Sequence, residues 1–150
     1  MLSDFEIVFM IQRIQTLYLS VAILLVIVVF LISSVIEFQI KGELSTVKSS
    51  FIFIVLSFTF ILSAVLAILY FKKIKKQLQF AKLSIIFSLF LVIYLVVIKF
   101  LGDRIYGFEA STIKLDLGFY LILVTLPLSF LAYSGVKRDK NLLDSLDRLR

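Results

Sequence analysis

The side chains with chemical reach gather in three short stretches, each just outside a long apolar run. Gln12, Arg13, Gln15 and Thr16 make a polar collar before the first run. Lys72, Lys73, Lys75 and Lys76 follow the second run, with Lys82 close behind. Leu142, Leu146, Asp147, Arg148 and Arg150 punctuate the C-terminal tail. Amides beside a guanidinium suit recognition of a carboxylate or of a partner's backbone. A lysine cluster flanking a span acts first as a topological anchor, and the same charges suit an anionic lipid headgroup. In the tail, Leu142, Leu146 and Leu149 fall at i, i+4 and i+7, one apolar stripe on a helix of about three turns. Such a helix is marginal alone in water, so it needs the bilayer, its own bundle or a partner to lie on. These stretches are the candidate interaction surface and the candidate headgroup site.

Chemistry beyond contact finds little support. The chain has no His and no Cys, which removes the commonest metal ligand, the usual general base, disulfides and thiolate metal sites. A nucleophilic Ser would need a base, and no Lys lies at a suitable depth beside one. The expectation is therefore no catalytic residue, no metal, no cofactor and no enzymatic activity. No Asp, Glu, Lys or Arg stands in the middle of an apolar run, although ion and proton pathways usually need one. Lys99 comes nearest and reads as an interface anchor.

The elements that position these stretches follow from composition. Of 150 residues, 61% are hydrophobic and only 17% charged, with a mean hydropathy of +1.11. A water-soluble domain of this length cannot hide that much apolar surface. Four runs carry it: residues 17–36, 51–71, 83–101 and 118–136. At about 1.5 Å per residue, each is long enough for a hydrocarbon core of about 30 Å. Residues 17–36 alone hold 15 of Leu, Ile, Val or Phe, worth on the order of −5 kcal/mol for insertion. That run is too long for a signal-peptide core, and Ser33-Ser34-Val35 is a poor cleavage site. The fold class expected is all-α: one integral-membrane four-helix bundle over residues 1–150, with a short amphipathic helix in the cytoplasmic tail 137–150.

Charge sets the threading. Arg13, the five lysines between 72 and 82, and Lys137, Arg138, Lys140, Arg148 and Arg150 place eleven basic residues on one side. Five, Lys41, Lys48, Lys99, Arg104 and Lys114, remain on the other. The positive-inside rule then puts both termini in the cytoplasm. The pI of about 9.6 follows from this asymmetry, with no need for nucleic acid as a partner. Tyr18, Tyr70, Tyr120 and Tyr133 stand near span ends, where amphipathic rings prefer to lie, and Tyr94 is the exception in mid-span.

Within the runs, Ser63, Ala64 and Ala67 allow close helix approach, favouring packing within the bundle over dimerisation, although a homo-oligomer stays open. Ser57, Thr59, Ser84, Ser88, Thr125 and Ser129 are expected to bond across helices as bundle glue. Pro127 offers no N–H to the Leu123 carbonyl and is expected to kink the fourth helix, with Thr125 and Ser129 satisfying freed backbone groups.

Two segments carry a resemblance: the opening Ile11-Gln12-Arg13-Ile14-Gln15-Thr16-Leu17-Tyr18-Leu19 and the closing Ser145-Leu146-Asp147-Arg148-Leu149-Arg150. With the four runs between, they resemble a family of small membrane proteins from Bacteroidota, domain of unknown function 4293, over residues 10–150. The resemblance implies an inner-membrane location and a four-helix architecture, with no assigned activity. It also implies Met10 as the natural start, leaving residues 1–9 as an upstream extension. The reading that follows is a non-catalytic, multi-pass protein of the bacterial inner membrane. Its partners would be the bilayer and another membrane protein, as an accessory or assembly subunit working through cytoplasmic contacts. The alternative is an oligomeric channel or small-solute transporter.

Overall fold

A computed structural model describes residues 4–31, 35–40, 43–47, 50–106 and 114–148. For residues 4–13, 38–40, 43–46, 102, 103, 105, 106, 114 and 146–148 it describes the backbone alone. Four helices dominate: α1 (Asp4–Leu31), α2 (Phe51–Leu69), α3 (Ile74–Tyr106) and α4 (Leu117–Arg148). A 3-10 turn, Tyr70–Lys72, joins α2 to α3. Strands β1 (Ile36–Ile40), β2 (Glu43–Thr46) and β3 (Lys114–Leu115) form a small antiparallel sheet in the order β2-β1-β3. The sheet ties the α1–α2 and α3–α4 connections together at one end of the bundle. Both termini and the α2–α3 turn lie at the other. Helix α1 packs mainly on α4, α4 on α3, and α3 on α2, while α1 and α2 touch only slightly.

The buried stripe on each helix advances in alternating steps of four and three residues. On α1 it runs Gln15, Leu19, Ala22, Val26, Val29; on α3, Gln77, Ala81, Ser84, Ser88, Leu91, Leu95, Ile98. On α4 it runs Gly118, Ile122, Thr125, Ser129, Ala132, Val136, Asp139. That repeat of seven is the seam of left-handed coiled-coil packing, the usual geometry of four-helix bundles. Helix α2 keeps it through Phe53, Ser57 and Phe60, then buries Ser63, Ala64 and Ala67.

The layering is opposite to that of a water-soluble bundle. Small and hydroxyl side chains face inward, whereas Leu17, Leu24, Phe51, Phe58, Leu62, Phe90, Phe100 and Phe130 stand exposed. Lipid tails are as apolar as leucine, so hydrophobicity does not sort residues inward in a bilayer; close approach of backbones does. Large side chains therefore take the lipid face as readily as the interior, where Phe53, Phe60, Leu91 and Leu95 are buried.

The expected four-helix architecture stands, with a small three-stranded sheet added in the far-end connections, and several details differ. Run 17–36 does not end as helix: α1 stops at Leu31, and Ile36 pairs with Leu115 in the sheet. Val35 and Ile36 are buried against the bundle core, a half-buried pleated surface that β-branched residues fit well. The tail is no separate short helix, because α4 continues through it to Arg148. Pro127, where the kink is expected, lies within α4 and is exposed on its surface. The hydroxyls bond their own helices. Ser84 donates to the Ala81 carbonyl, Ser88 to Ile85, Thr125 to Ile122, Ser129 to Thr125, and Thr59 to Val55 and Leu56. A carbonyl three or four residues back is always within reach of a helical Ser or Thr, so the local bond forms first. Buried Ser57 Oγ has no partner. These side chains serve the seam by being small.

Tyr94 resolves its own exception. Its hydroxyl lies 2.6 Å from Ser50 Oγ, and Ser50, standing at the N-cap of α2, makes no cap bond with its side chain.

Candidate functional site

The bundle has two unlike halves. Toward the sheet, Phe53, Phe60, Leu91, Leu95, Ile122, Val26 and Val29 fill the interior. Toward the termini, the core narrows to Leu19, Ala64, Ala67, Ala81, Ala132 and Val136. One turn beyond that alanine layer, three stripes carry polar side chains: Gln15 on α1, Gln77 on α3 and Asp139 on α4. Each continues its helix's buried spacing, so the backbone delivers an amide or a carboxyl to an inward position.

Gln15 and Asp139 meet. Gln15 is 2% exposed, Asp139 6% exposed, and Gln15 Nε2 donates to Asp139 Oδ2 at 2.5 Å across the α1–α4 interface. A carboxylate only accepts, so this contact orients the amide and leaves Gln15 Oε1 as the free acceptor. Gln15 Oε1 and Asp139 Oδ1 are both buried without a partner, as are both polar atoms of Gln77. Buried polar atoms are nearly always satisfied, and each exception calls for an explanation.

Gly135 makes the contact sterically feasible. A Cβ there would stand 2.7 Å from Gln15 Cγ and 3.2 Å from Gln15 Nε2. One turn after it comes Asp139, so Gly135 admits the Gln15 side chain and Asp139 receives its amide. Beside this pair opens a cleft of about 340 Å³ lined by Ile14, Gln15, Tyr18, Leu131, Ser134, Gly135, Arg138 and Asp139. Of these, Gln15 and Asp139 are buried, while Ile14, Leu131, Ser134 and Arg138 are exposed.

Of the residues singled out in the sequence, Gln15 is the one the structure builds into this site. The backbone of Gln12 and Arg13 lies on α1, one turn before Gln15, and their side chains are outside the described residues, as are those of Leu146, Asp147 and Arg148. Arg150 lies outside the described residues altogether. Leu142 is exposed, and Asp144 lies 4.0 Å from Lys140 on its own helix. Lys72, Lys73, Lys75 and Lys76 are all exposed at the α2–α3 turn. Lys76 Nζ lies 5.4 Å from the Tyr70 ring centroid, with Tyr70 stacked on Phe80 at 5.3 Å, and Lys72 Nζ lies 5.8 Å from the Phe71 ring centroid, two cation–π arrangements within the cluster. Sequence reading missed Asp139, Gly135 and Gln77. The signal was present: Gly135 and Asp139 are four apart, and Asp139 extends the seven-residue stripe from Gly118.

Among the described residues, no group of three His, Cys, Asp or Glu could hold a metal ion. Four helices are long and apolar enough to cross a membrane. With their inside-out layering, they define a multi-pass helical membrane protein. A family model described as Domain of unknown function (DUF4293) matches residues 11–149, and the chain belongs to that family. No curated protein and no solved structure matches the chain.

Proposed function

We propose that this chain is a non-catalytic protein of the bacterial inner membrane, with both termini in the cytoplasm, serving as an accessory or assembly subunit of a larger membrane complex. The observation that carries this reading is the far end of α4. From Val136 to Arg148 the helix advances about 18 Å beyond the apolar run. Asn141, Leu142, Leu143, Asp144 and Ser145 are all exposed there, so the chain itself leaves this apolar-edged helix uncovered. A helix of this kind is well suited to a partner's groove. The distribution of basic residues supports cytoplasmic termini, and the filled interior of the sheet half argues against a conducting path within one copy.

The absence of native Cys makes the test direct. Leu142→Cys should resist an impermeant thiol reagent in intact cells and react in inverted vesicles, whereas Tyr120→Cys should do the reverse. A photocrosslinker at position 142 should give a discrete adduct with another membrane protein, and one at lipid-facing position 24 should not. Equal adducts at both positions, or solute flux through liposomes holding the purified chain, would overturn the proposal.

A further inference from the structure

We propose that the exposed face of α3 from Lys75 to Ile93 holds an anionic phospholipid, with Lys75, Gln79 and Lys82 meeting its phosphate and Ile86, Phe90 and Ile93 carrying an acyl chain. The inference goes beyond the accessory role and rests only on the chain's crossing a bilayer. These six residues recur at steps of three and four, and all are exposed, so they form one stripe along the helix. It lies opposite the buried seam of Gln77, Ala81, Ser84 and Ser88. Its first three members offer two ammonium groups and an amide, and its last three are apolar. The changeover falls at Leu83, where the apolar run 83–101 begins, the depth at which headgroups give way to tails. Lys75 and Lys82 are about 10 Å apart along the axis. Cα–Cβ bonds tilt toward a helix's N-terminus, which on α3 is the end at the α2–α3 turn, so Lys82 is set to snorkel toward Lys75.

Charge decides the occupant. No Asp or Glu stands between Glu43 and Asp103, so neither α2 nor the turn, and no part of α3 before Asp103, supplies a counter-charge. Among the described residues, Lys75 and Lys82 make no ion pair and no ring contact, whereas Lys72 and Lys76 rest on Phe71 and Tyr70. The basic residues of α4 differ: Lys137, Arg138 and Lys140 flank Asp139, and Lys140 lies 4.0 Å from Asp144. Uncompensated positive charge that runs directly into an exposed apolar stripe fits a molecule joining negative charge to hydrocarbon. Phosphatidylcholine makes the natural control, because it has the same phosphate and tails but cancels the charge with its choline. A topological anchor alone would make the lysines of this cluster interchangeable, since the positive-inside rule counts charges near a span end without reading their face.

The test reconstitutes the full chain in nanodiscs with equal phosphatidylglycerol, phosphatidylcholine and phosphatidylethanolamine, then counts retained lipid by native mass spectrometry. Both bilayer faces are open in a nanodisc, so a change of topology does not enter the reading. The wild-type protein should retain phosphatidylglycerol over phosphatidylcholine by about tenfold or more, since each lysine beside an anionic headgroup is worth about fivefold. The double variant Lys75→Gln/Lys82→Gln should bring the two lipids near parity. Lys72→Gln/Lys76→Gln removes the same charge from outside the stripe and should keep most of the selectivity. All four positions are exposed, so both variants leave the packed seam alone. Equal retention of both lipids by the wild-type protein, or equal loss of selectivity from the two double variants, would overturn the proposal. A soluble arm separates the sources of the phosphate: if millimolar glycerol phosphate raises the melting temperature as much as phosphatidylglycerol does, the occupant is a soluble anion and the lipid assignment fails. A photocrosslinker at position 79 should label lipid in native membranes, and a discrete protein adduct there would put an acidic partner on this face instead. Crosslinking from position 142 reads the accessory role independently, so the two proposals can fail separately.

Discussion

The sheet half of the bundle and its terminal half are built on the same seven-residue seam yet solve different problems. In the sheet half, Phe53, Phe60, Leu91 and Leu95 interdigitate, and the hydroxyls of Ser50 and Tyr94 satisfy each other. In the terminal half, alanines draw the helices together, and the seam then carries Gln15, Gln77 and Asp139 with four unpartnered atoms. Packing stability concentrates where large side chains meet. Unspent hydrogen-bonding capacity concentrates where they do not. A fold selected for stability alone would continue the alanine seam with leucine, since replacing a buried polar pair by apolar groups of similar shape is often neutral or stabilising.

The comparison breaks most readily in the sheet half. Phe60→Ala would open a cavity among Val26, Leu91 and their neighbours, and in a soluble core such a change costs about 3–5 kcal/mol. Here the unfolded reference is solvated by lipid, so the transfer part falls away and the packing part remains. The expected loss is on the order of 2–3 kcal/mol, read from unfolding in mixed micelles. A loss near zero would mean that this half is not the stable one.

Gly135→Ala probes the terminal half with opposing effects. Alanine gains about 0.8–1.0 kcal/mol of helix propensity over glycine. Its Cβ would drive Gln15 Cγ from 2.7 Å and break a charge-assisted bond worth about 1.5–3 kcal/mol. The net expectation is a loss of about 1 kcal/mol, and Gln15→Leu in the same background should add little further loss. A stabilised Gly135→Ala would show that the Gln15–Asp139 contact contributes nothing to the fold. The smallest effect belongs to the seam hydroxyls. Ser84→Ala and Ser88→Ala each remove a bond made only to the same helix, so melting should change by less than about 0.5 kcal/mol. A larger loss would restore the idea of hydroxyl glue between helices.

Much of the architecture is legible along the chain because transfer into hydrocarbon is nearly additive and local. Each residue of 51–71 or 118–136 favours insertion without knowing its neighbours, and the basic residues at their ends act the same way. The seam is legible too, but best by following small residues: Ala81, Ser84, Ser88 and Ala132 mark it, whereas Leu and Phe occur both on it and on the exposed face. The search for apolar faces fails here because both faces are apolar. The sheet escaped for a different reason. Strands of five, four and two residues are too short for a periodic signal, and Val35-Ile36 continues an apolar run without a break.

What the sequence alone determined is the number of spans, their place along the chain, and the two ends where charge collects, since these depend on summed transfer energies along one segment. What only the tertiary structure decided is which polar residues meet. Gln15 and Asp139 are 124 positions apart, and no local property of either names the other. Their pairing depends on α1 lying against α4 at a particular axial register, on Gly135 leaving room for one side chain, and on the alanine layer bringing the backbones close. Those are properties of packed surfaces, where a shift of a single helical turn would bury a leucine in place of an amide.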